Sequence, residues 1–164
     1  MLARRKVDHA ALRTNQAFII ALNLMAFVFN LPVLAGIVGV LMLAGTLAGK
    51  PGFGFLYKLV LKPLGWVKPD VLEDNPEPHR FAQGFGAVVL LGGVGSLFLG
   101  GVVLGWVLVW VVIALAALNL FGGFCVGCAM YYWLNKLNLP GFTKTPPPGT
   151  VPGMRPASGQ MEER

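Results

Sequence analysis

The sequence predicts an all-α integral membrane protein with four transmembrane helices, arranged as two pseudo-repeated hairpins that are each followed by a short interfacial amphipathic helix. Of the 164 residues, 55% are hydrophobic and only 12% are charged, which is about half the charged fraction of a soluble domain. Two long intervals, 17–49 and 84–135, contain no charged residue. Each has room for two spans, since one span needs about 20 apolar residues.

The first hairpin is predicted from the N-terminal apolar interval. Its first span covers about residues 15–29, and the helix can start as early as Asp8, whose carboxylate would cap it. A compact turn then precedes Pro32, which suits a first helical turn because the missing N–H costs nothing there. The second span is expected to run from Pro32 to about Ala48.

A short amphipathic helix is predicted after this hairpin, over about residues 53–67. Lys58 and Lys62 are four residues apart and therefore share one helical face. The segment is otherwise apolar and too short to cross the membrane, which indicates a helix lying in the interface. Residues 68–81 are polar, and their prolines predict an extended path. Four acidic residues in this region are interpreted as part of a solvated loop: Asp70, Glu73, Asp74 and Glu77.

The second hairpin is predicted from the second apolar interval, with spans over about 82–99 and 102–121. A short helix over about 124–137 follows it and carries both cysteines. Residues 1–139 thus form the four-span membrane domain. Residues 140–164 are rich in proline and glycine and are expected to be disordered, because such a composition cannot form a packed core.

Both hairpins open with the pattern Arg-x-x-Gln-small-Phe, which indicates an internal repeat. The copies would cover about residues 8–67 and 78–137 and be related by an axis along the membrane normal. The arginine and glutamine side chains at these positions are candidates for binding an anionic group or for positioning helix ends. They are Arg13, Gln16, Arg80 and Gln83.

Basic residues predict the orientation in the membrane. The N-terminal segment, the central loop and the C-terminal tail all contain lysine or arginine, whereas the turns near Asn30 and Gly100 contain none. The positive-inside rule therefore places both termini in the cytoplasm. The net charge of +6 suits contact with anionic membrane lipids, and no nucleic-acid partner is predicted, because no basic face on a soluble fold is evident. The in-span amides Asn23 and Asn119 are expected to form interhelical hydrogen bonds.

Cys125 and Cys128 are the only cysteines, and their spacing places both sulfurs on one side of a helix. One interpretation is redox or sulfur-transfer chemistry, in which one thiol attacks a disulfide or persulfide and the other resolves the intermediate. A second is a metal site completed by His9 and His79, since zinc accepts a Cys₂His₂ ligand set. In the third, both are small packing residues without chemistry. A cytoplasmic location disfavours a permanent structural disulfide.

Several longer motifs occur at the predicted helix ends. They are Asp8-His9-x-x-Leu12-Arg13-x-Asn15-Gln16, Pro51-Gly52-Phe53-Gly54, Glu73-Asp74-Asn75-Pro76, Pro78-His79-Arg80-Phe81-Ala82-Gln83-Gly84 and Gly123-Phe124-Cys125-x-Gly127-Cys128-x-x-Tyr131. Over about residues 7–137 the chain therefore resembles a bacterial membrane family catalogued only as domain of unknown function 4395. The resemblance implies a multi-pass protein of the bacterial inner (cell) membrane and supplies no activity.

The working hypothesis is a small membrane thiol protein that exchanges disulfide or persulfide sulfur through Cys125 and Cys128 at the cytoplasmic interface. Analogy with small bacterial membrane modules that carry a Gly-x-Cys signature suggests a thioredoxin-like or rhodanese-like partner. The alternative is a non-enzymatic structural or assembly subunit of a larger membrane complex. No cofactor is predicted, and the sequence leaves open whether the protein is an enzyme.

Overall fold

The computed structural model describes residues 6–156, which are mostly helical. The elements in chain order are β1 (Lys6–Asp8), α1 (His9–Val28), α2 (Pro32–Ala48), α3 (Gly54–Leu56) with a π-helical continuation (Tyr57–Leu61), β2 (Val71–Glu73), α4 (Pro76–Phe98), α5 (Val102–Gly122) and α6 (Val126–Lys136). The long helices form two hairpins, α1–α2 and α4–α5, and across the hairpins α1 packs on α5 while α2 packs on α4. Two repeated hairpins would pair in this way, and the repeat itself stays a prediction.

Three helices are long and apolar enough to cross a membrane, namely α1, α4 and α5. The fourth, α2, is also apolar but has only 17 residues. These helices direct large apolar side chains outward, among them Val88 and Val103, which are 64% and 79% exposed. Such surfaces suit contact with lipid. The predicted count of four spans stays a prediction.

Helix boundaries follow local signals in the sequence. Helix α2 begins at Pro32 and ends at Ala48 as predicted, and the Asp8 carboxylate caps α1 by accepting the Ala10 N–H at 3.0 Å. Helix α4 differs from the prediction, because it begins at Pro76 inside the segment expected to be extended. A proline in the first helical turn loses no hydrogen bond, so it can start a helix as readily as it prevents one.

A two-stranded antiparallel ribbon connects the starts of α1 and α4. Strands β1 and β2 pair with Val7 opposite Leu72, and the His9 N–H donates to the Asp70 carbonyl at 2.7 Å. The sequence analysis did not predict this ribbon. It brings the segment just before α4 beside the first turn of α1.

The bundle core consists of small and branched apolar side chains contributed by all four long helices. Its almost fully buried members include Ile19, Val38, Leu90 and Val109. Asn23 is also fully buried, but its amide donates to the Ile19 carbonyl of its own helix at 2.8 Å. The expected interhelical hydrogen bond of Asn23 is therefore absent from the described contacts, and a helix carbonyl serves as its acceptor.

The described part of the C-terminal tail lies against the end of α5. Phe124 and Met154 form an isolated antiparallel bridge. The Cys125 N–H donates to the Gly153 carbonyl at 2.7 Å, and the Arg155 N–H donates to the Gly123 carbonyl at 3.0 Å. These backbone hydrogen bonds hold part of the segment for which disorder is expected, and the disorder of residues 140–164 stays a prediction. Residues 157–164 lie outside the described part of the chain.

Candidate functional site

The two cysteines lie at the junction of α5 and α6. Helix α5 ends at Gly123, whose left-handed backbone (φ 62°) turns the chain. Cys125 is the N-cap of α6, and its sulfur accepts the Cys128 N–H at 3.2 Å. Both cysteines are buried and joined as a disulfide. In the reduced protein the same N–H and the helix dipole would favour negative charge on the Cys125 sulfur.

A chain of polar contacts leads from Cys128 to a buried carboxylate. The Cys128 sulfur lies 3.4 Å from His79 Nδ1, and His79 Nε2 lies 2.9 Å from Asp74 Oδ2. When His79 donates its Nε2 proton to Asp74, Nδ1 carries a lone pair directed at the sulfur. A carboxylate that orients a histidine beside a nucleophile has the arrangement of a catalytic triad.

Close packing of α6 on α4 produces this contact. A methyl group on Gly127 would lie 2.6 Å from the Cβ of Ala82, so only glycine permits the observed approach at this position. Ala82 is one helical turn beyond His79 on α4, and Gly127 directly precedes Cys128. The two small residues therefore set the separation between His79 and the disulfide.

Asp74 is buried between two histidines. His9 Nε2 lies 3.2 Å from the Asp74 Oδ2 that also faces His79, and its ring is less well aligned for a hydrogen bond than that of His79. Burial alone would raise the pKa of Asp74, but hydrogen bonds from His79 and His9 outweigh it and hold that pKa well below its usual value. A carboxylate in this setting is ionised at neutral pH.

The burial of Asp74 corrects the interpretation of its segment as a solvated loop. Asp74 is 8% exposed, whereas Asp70, four residues earlier, is only partly buried and pairs with Arg155 of the tail. The sequence analysis did not single out Asp74 because neighbouring carboxylates look alike in the sequence. Its one distinguishing signal is its position just before the first turn of α4, five residues from His79.

A polar cavity of about 250 Å³ opens beside the disulfide. It contains His9, His79 and both cysteines, and charged or amide side chains complete its wall. These are Arg13, Gln16, Asp74, Asn119 and Arg155. The cavity gives a water-soluble group access to the reactive sulfurs, with cationic side chains at its edge.

A smaller and more apolar cavity of about 80 Å³ reaches the disulfide from the helical bundle. It is walled by residues of α1, α4, α5 and α6, including Ile19, Phe85, Val112, Ala116 and Met130. His79, Gln16, Asn119 and Cys125 line both cavities. The disulfide is therefore flanked by a polar space on one side and an apolar space on the other.

The two predicted Arg/Gln pairs do not meet at one site. Arg13 and Gln16 line the polar cavity. Arg80 instead donates from Nε to the Thr46 carbonyl at 3.0 Å, and Gln83 donates to the Met42 carbonyl at 2.8 Å. Arg80 and Gln83 thus hold the C-terminal end of α2, while binding of an anion by any of these residues stays a prediction.

The four residues of the predicted Cys₂His₂ metal site lie close together in the structure. Ligand atoms of His79, Cys125 and Cys128 lie within 4.8 Å of one another, and so do those of His9, Asp74 and His79. In the oxidised state the cysteine sulfurs are bonded to each other and are not thiolate ligands. A Cys₂His₂ metal site would thus require the reduced pair, and it stays a prediction.

Comparison with known proteins gives one match. No curated protein and no solved structure shows significant similarity to the chain. The match is to a family model, and it covers residues 7–136, which include both hairpins, all of the ribbon except Lys6, the disulfide and both histidines. On that match, the chain belongs to the family described as Domain of unknown function (DUF4395).

Proposed function

We propose that the protein catalyses thiol–disulfide exchange at the cytoplasmic face of a bacterial inner membrane, with Cys125 as the attacking sulfur and Cys128 as the resolving one. The observation that carries this proposal is the contact chain from Cys128 through His79 to the buried Asp74. If Cys128 served only to pack the helices, it would need neither His79 beside its sulfur nor Asp74 beside that histidine. The helix N-cap position of Cys125 supports its role as the more anionic sulfur.

The exchange begins from the reduced pair. The Cys125 thiolate attacks a disulfide of the partner, forms a mixed disulfide and releases the first partner thiolate. His79 Nδ1 then takes the proton of the Cys128 thiol, and the Cys128 thiolate attacks the Cys125 sulfur. The second partner thiolate leaves, so two electrons pass from the cysteine pair to the partner. A partner dithiol drives the same steps in reverse.

Asp74 has a positioning role in this scheme. Its ionised carboxylate keeps the Nε2 proton of His79 in place, which fixes the tautomer with a free Nδ1. It also stabilises the positive charge that His79 acquires when it accepts the thiol proton. The partly exposed polar cavity provides the route for the partner sulfur.

The proposed topology has four spans with both chain ends in the cytoplasm. Helix α2 has 17 residues and is therefore about 25 Å long, slightly less than the hydrocarbon thickness of about 30 Å. A modest local thinning of the bilayer accommodates such a mismatch. This topology faces the cysteines toward cytoplasmic partners, of which a thioredoxin-like protein is the proposed class.

The test uses the reduced protein in mild detergent and a chromogenic aryl disulfide. We expect the wild type to release two aryl thiolates per chain, one on attack and one on resolution. Cys128→Ser should release one and keep the other as a mixed disulfide on Cys125. Cys125→Ser should lose the fast first release. His79→Ala should leave the first release unchanged and slow the second about 100-fold, because a general base contributes about 10²–10⁴ to such a step.

Partner identity is tested by mixed-disulfide trapping with Cys128→Ser in cells, followed by mass measurement of the trapped chain. A disulfide partner adds the mass of a protein, whereas a persulfide donor adds one sulfur atom. Inert cysteines in the aryl disulfide assay, together with stoichiometric co-purification of other membrane subunits, would overturn the proposal in favour of the structural-subunit alternative. Equal second-release rates in wild type and His79→Ala would remove the role of His79.

A further inference from the structure

We infer that the apolar cavity beside the disulfide binds the head group of a lipid-soluble quinone, which oxidises the reduced cysteine pair. This inference rests on the proposed exchange function, because it supplies the oxidant that returns the pair to the disulfide. It concerns a second cavity, which shares His79 and Cys125 with the polar one but is otherwise walled mainly by residues of the helical bundle. Substitutions at residues that line this cavity alone can therefore test it apart from the exchange.

The position of the cavity points to a ligand that arrives from the membrane. Its walls come from the apolar helices α1, α4 and α5, together with α6. Phe85 and Met130, which line it, are 41% and 37% exposed, so apolar side chains also form its rim. Cys125 and His79 also line the cavity. A molecule that enters between the helices would therefore come next to the reactive sulfur.

Two amides in the wall of this cavity form no hydrogen bond within the described part of the chain. They are Gln16 and Asn119, and neither side chain has a hydrogen-bond partner among residues 6–156. Side-chain amides on apolar membrane helices usually form a hydrogen bond with a neighbouring group. Their N–H groups can donate to the two carbonyl oxygens of a quinone, whereas an acyl chain offers no acceptor.

The cavity size fits such a head group. One water-sized group needs about 10–15 Å³ of cavity volume, so the 80 Å³ cavity holds roughly five to eight heavy atoms by that rule. A six-membered ring with two carbonyl oxygens has this size. The isoprenoid or alkyl tail would leave past Phe85 and Met130 into lipid.

The chemistry balances without a further oxidant or reductant. Two electrons pass from the Cys125 and Cys128 sulfurs to the quinone ring as the S–S bond forms. The Cys128 thiol proton reaches one quinone oxygen through His79, the other oxygen takes a proton from water in the adjoining polar cavity, and the product is a hydroquinone. The sulfur pair is oxidised and the quinone is reduced by the same two electrons.

The test is a single turnover without oxygen. Reduced protein in detergent is mixed with a benzoquinone that bears a short alkyl tail and a substituent at every other ring position, which prevents addition of a thiol to the ring. Acid quenching and alkylation with a heavy maleimide then report disulfide formation over time. The same protein samples are also assayed with the aryl disulfide.

Three variants separate quinone binding from thiol chemistry. Ala116→Phe fills the cavity and should slow oxidation by the quinone at least about 10-fold. Leu115→Phe, at a position that lines this cavity and not the polar one, narrows it and should slow oxidation about 10-fold. Leu118→Phe, on the lipid-facing side of α5, is the matched control and should react like the wild type. All three should keep the wild-type rate with the aryl disulfide.

The outcomes distinguish the two proposals. A wild type that reacts with the aryl disulfide but not with the quinone overturns this inference and leaves the exchange function standing. Failure with both reagents overturns both. If Ala116→Phe and Leu115→Phe slow both reactions equally, the two substitutions act through the fold and the quinone site is rejected. Selective loss of the quinone reaction in either variant supports the site.

Discussion

The two hairpins leave the helical bundle through joints of similar construction. We call residues 49–61 the first joint and residues 123–136 the second. Each begins with a glycine in the left-handed region, Gly49 (φ 69°) and Gly123 (φ 62°), which ends the preceding helix. Each continues into a short helix that contacts a polar residue at the start of its own hairpin, through Tyr57 in the first joint and Cys128 in the second.

The joints differ in what satisfies their backbone. In the first, Gln83 accepts the Gly52 N–H at 3.2 Å and Asn15 accepts the Phe53 N–H at 2.9 Å. In the second, the tail supplies the corresponding contact through the Gly153 carbonyl. Gln16, which the predicted repeat aligns with Gln83, forms no such bond with the described residues 6–156 and lines both cavities instead.

This difference indicates that the two joints have different roles although they are built alike. The first joint is closed by side chains of the bundle, and its polar groups are committed to structure. The backbone at the start of the second joint is held by the tail, and two cavities adjoin its disulfide and the nearby His79. Reactivity is therefore expected where the bundle side chains are not needed to hold the backbone.

The largest expected effect is on stability in the first joint. Gln83→Leu should lower the free energy of unfolding by about 2–4 kcal/mol, because it leaves the Gly52 N–H and the Asn15 amide without their partner. Gln16→Leu should change it by less than about 0.5 kcal/mol. Reversible unfolding in mixed micelles measures both, and equal losses in the two variants would erase the distinction between the joints.

The second effect concerns the approach of α6 to α4. Gly127→Ala should push the helices apart and slow the second aryl thiolate release about 100-fold, because Cys128 would lose His79 as its base. Gly54→Ala is the matched control in the first joint, where an added methyl would meet Pro51 at an ordinary 3.4 Å. The methyl added at Gly127 would also lie 2.7 Å from the Cα of Ala82, so Ala82→Gly in the Gly127→Ala background should restore the rate only in part. A Gly127→Ala variant with the wild-type second release would refute the packing argument.

The third effect is the pH dependence contributed by Asp74. Its folded-state pKa is lowered by hydrogen bonds from the histidines against the opposing effect of burial, so its stabilisation is complete above the ordinary carboxyl pKa of about 4 and is lost as the pH falls below it. Asp74→Asn should therefore cost about 2 kcal/mol at neutral pH, and the gap to the wild type should narrow on acidification. A gap that is constant with pH would contradict this account.

Much of the architecture was predictable because apolar runs and helix caps are local signals. Pro32 and Ala48 bound α2 as predicted, and Asp8 caps α1. The ribbon was not predictable, since three polar-flanked residues such as Lys6–Asp8 form a strand only when Val71–Glu73 lies beside them. Strand pairing between segments so far apart leaves no periodic signal in either.

The candidate site was predictable only in part. The cysteine spacing identified Cys125 and Cys128, but the approach of His79 and the burial of Asp74 depend on the ribbon and on the Gly127 contact. Gln16 and Gln83 occupy equivalent positions in the repeated motif, yet only Gln83 has backbone groups within reach. Equivalent motifs therefore predict equivalent positions but not equivalent partners.

The smallest expected effect is a loss of stability on substitution of Tyr57 in the first joint. Tyr57 is 1% exposed and donates to Asp8 Oδ2 at 2.8 Å, and burial together with that hydrogen bond raises its pKa to about 12. Tyr57→Phe removes the donor while water can still reach the partly exposed Asp8, so the loss in stability should be about 1 kcal/mol. Both aryl thiolate releases should keep their wild-type rates. A slowed second release would mean that the two joints are coupled, and that the polar contact of the first joint also serves the chemistry of the second.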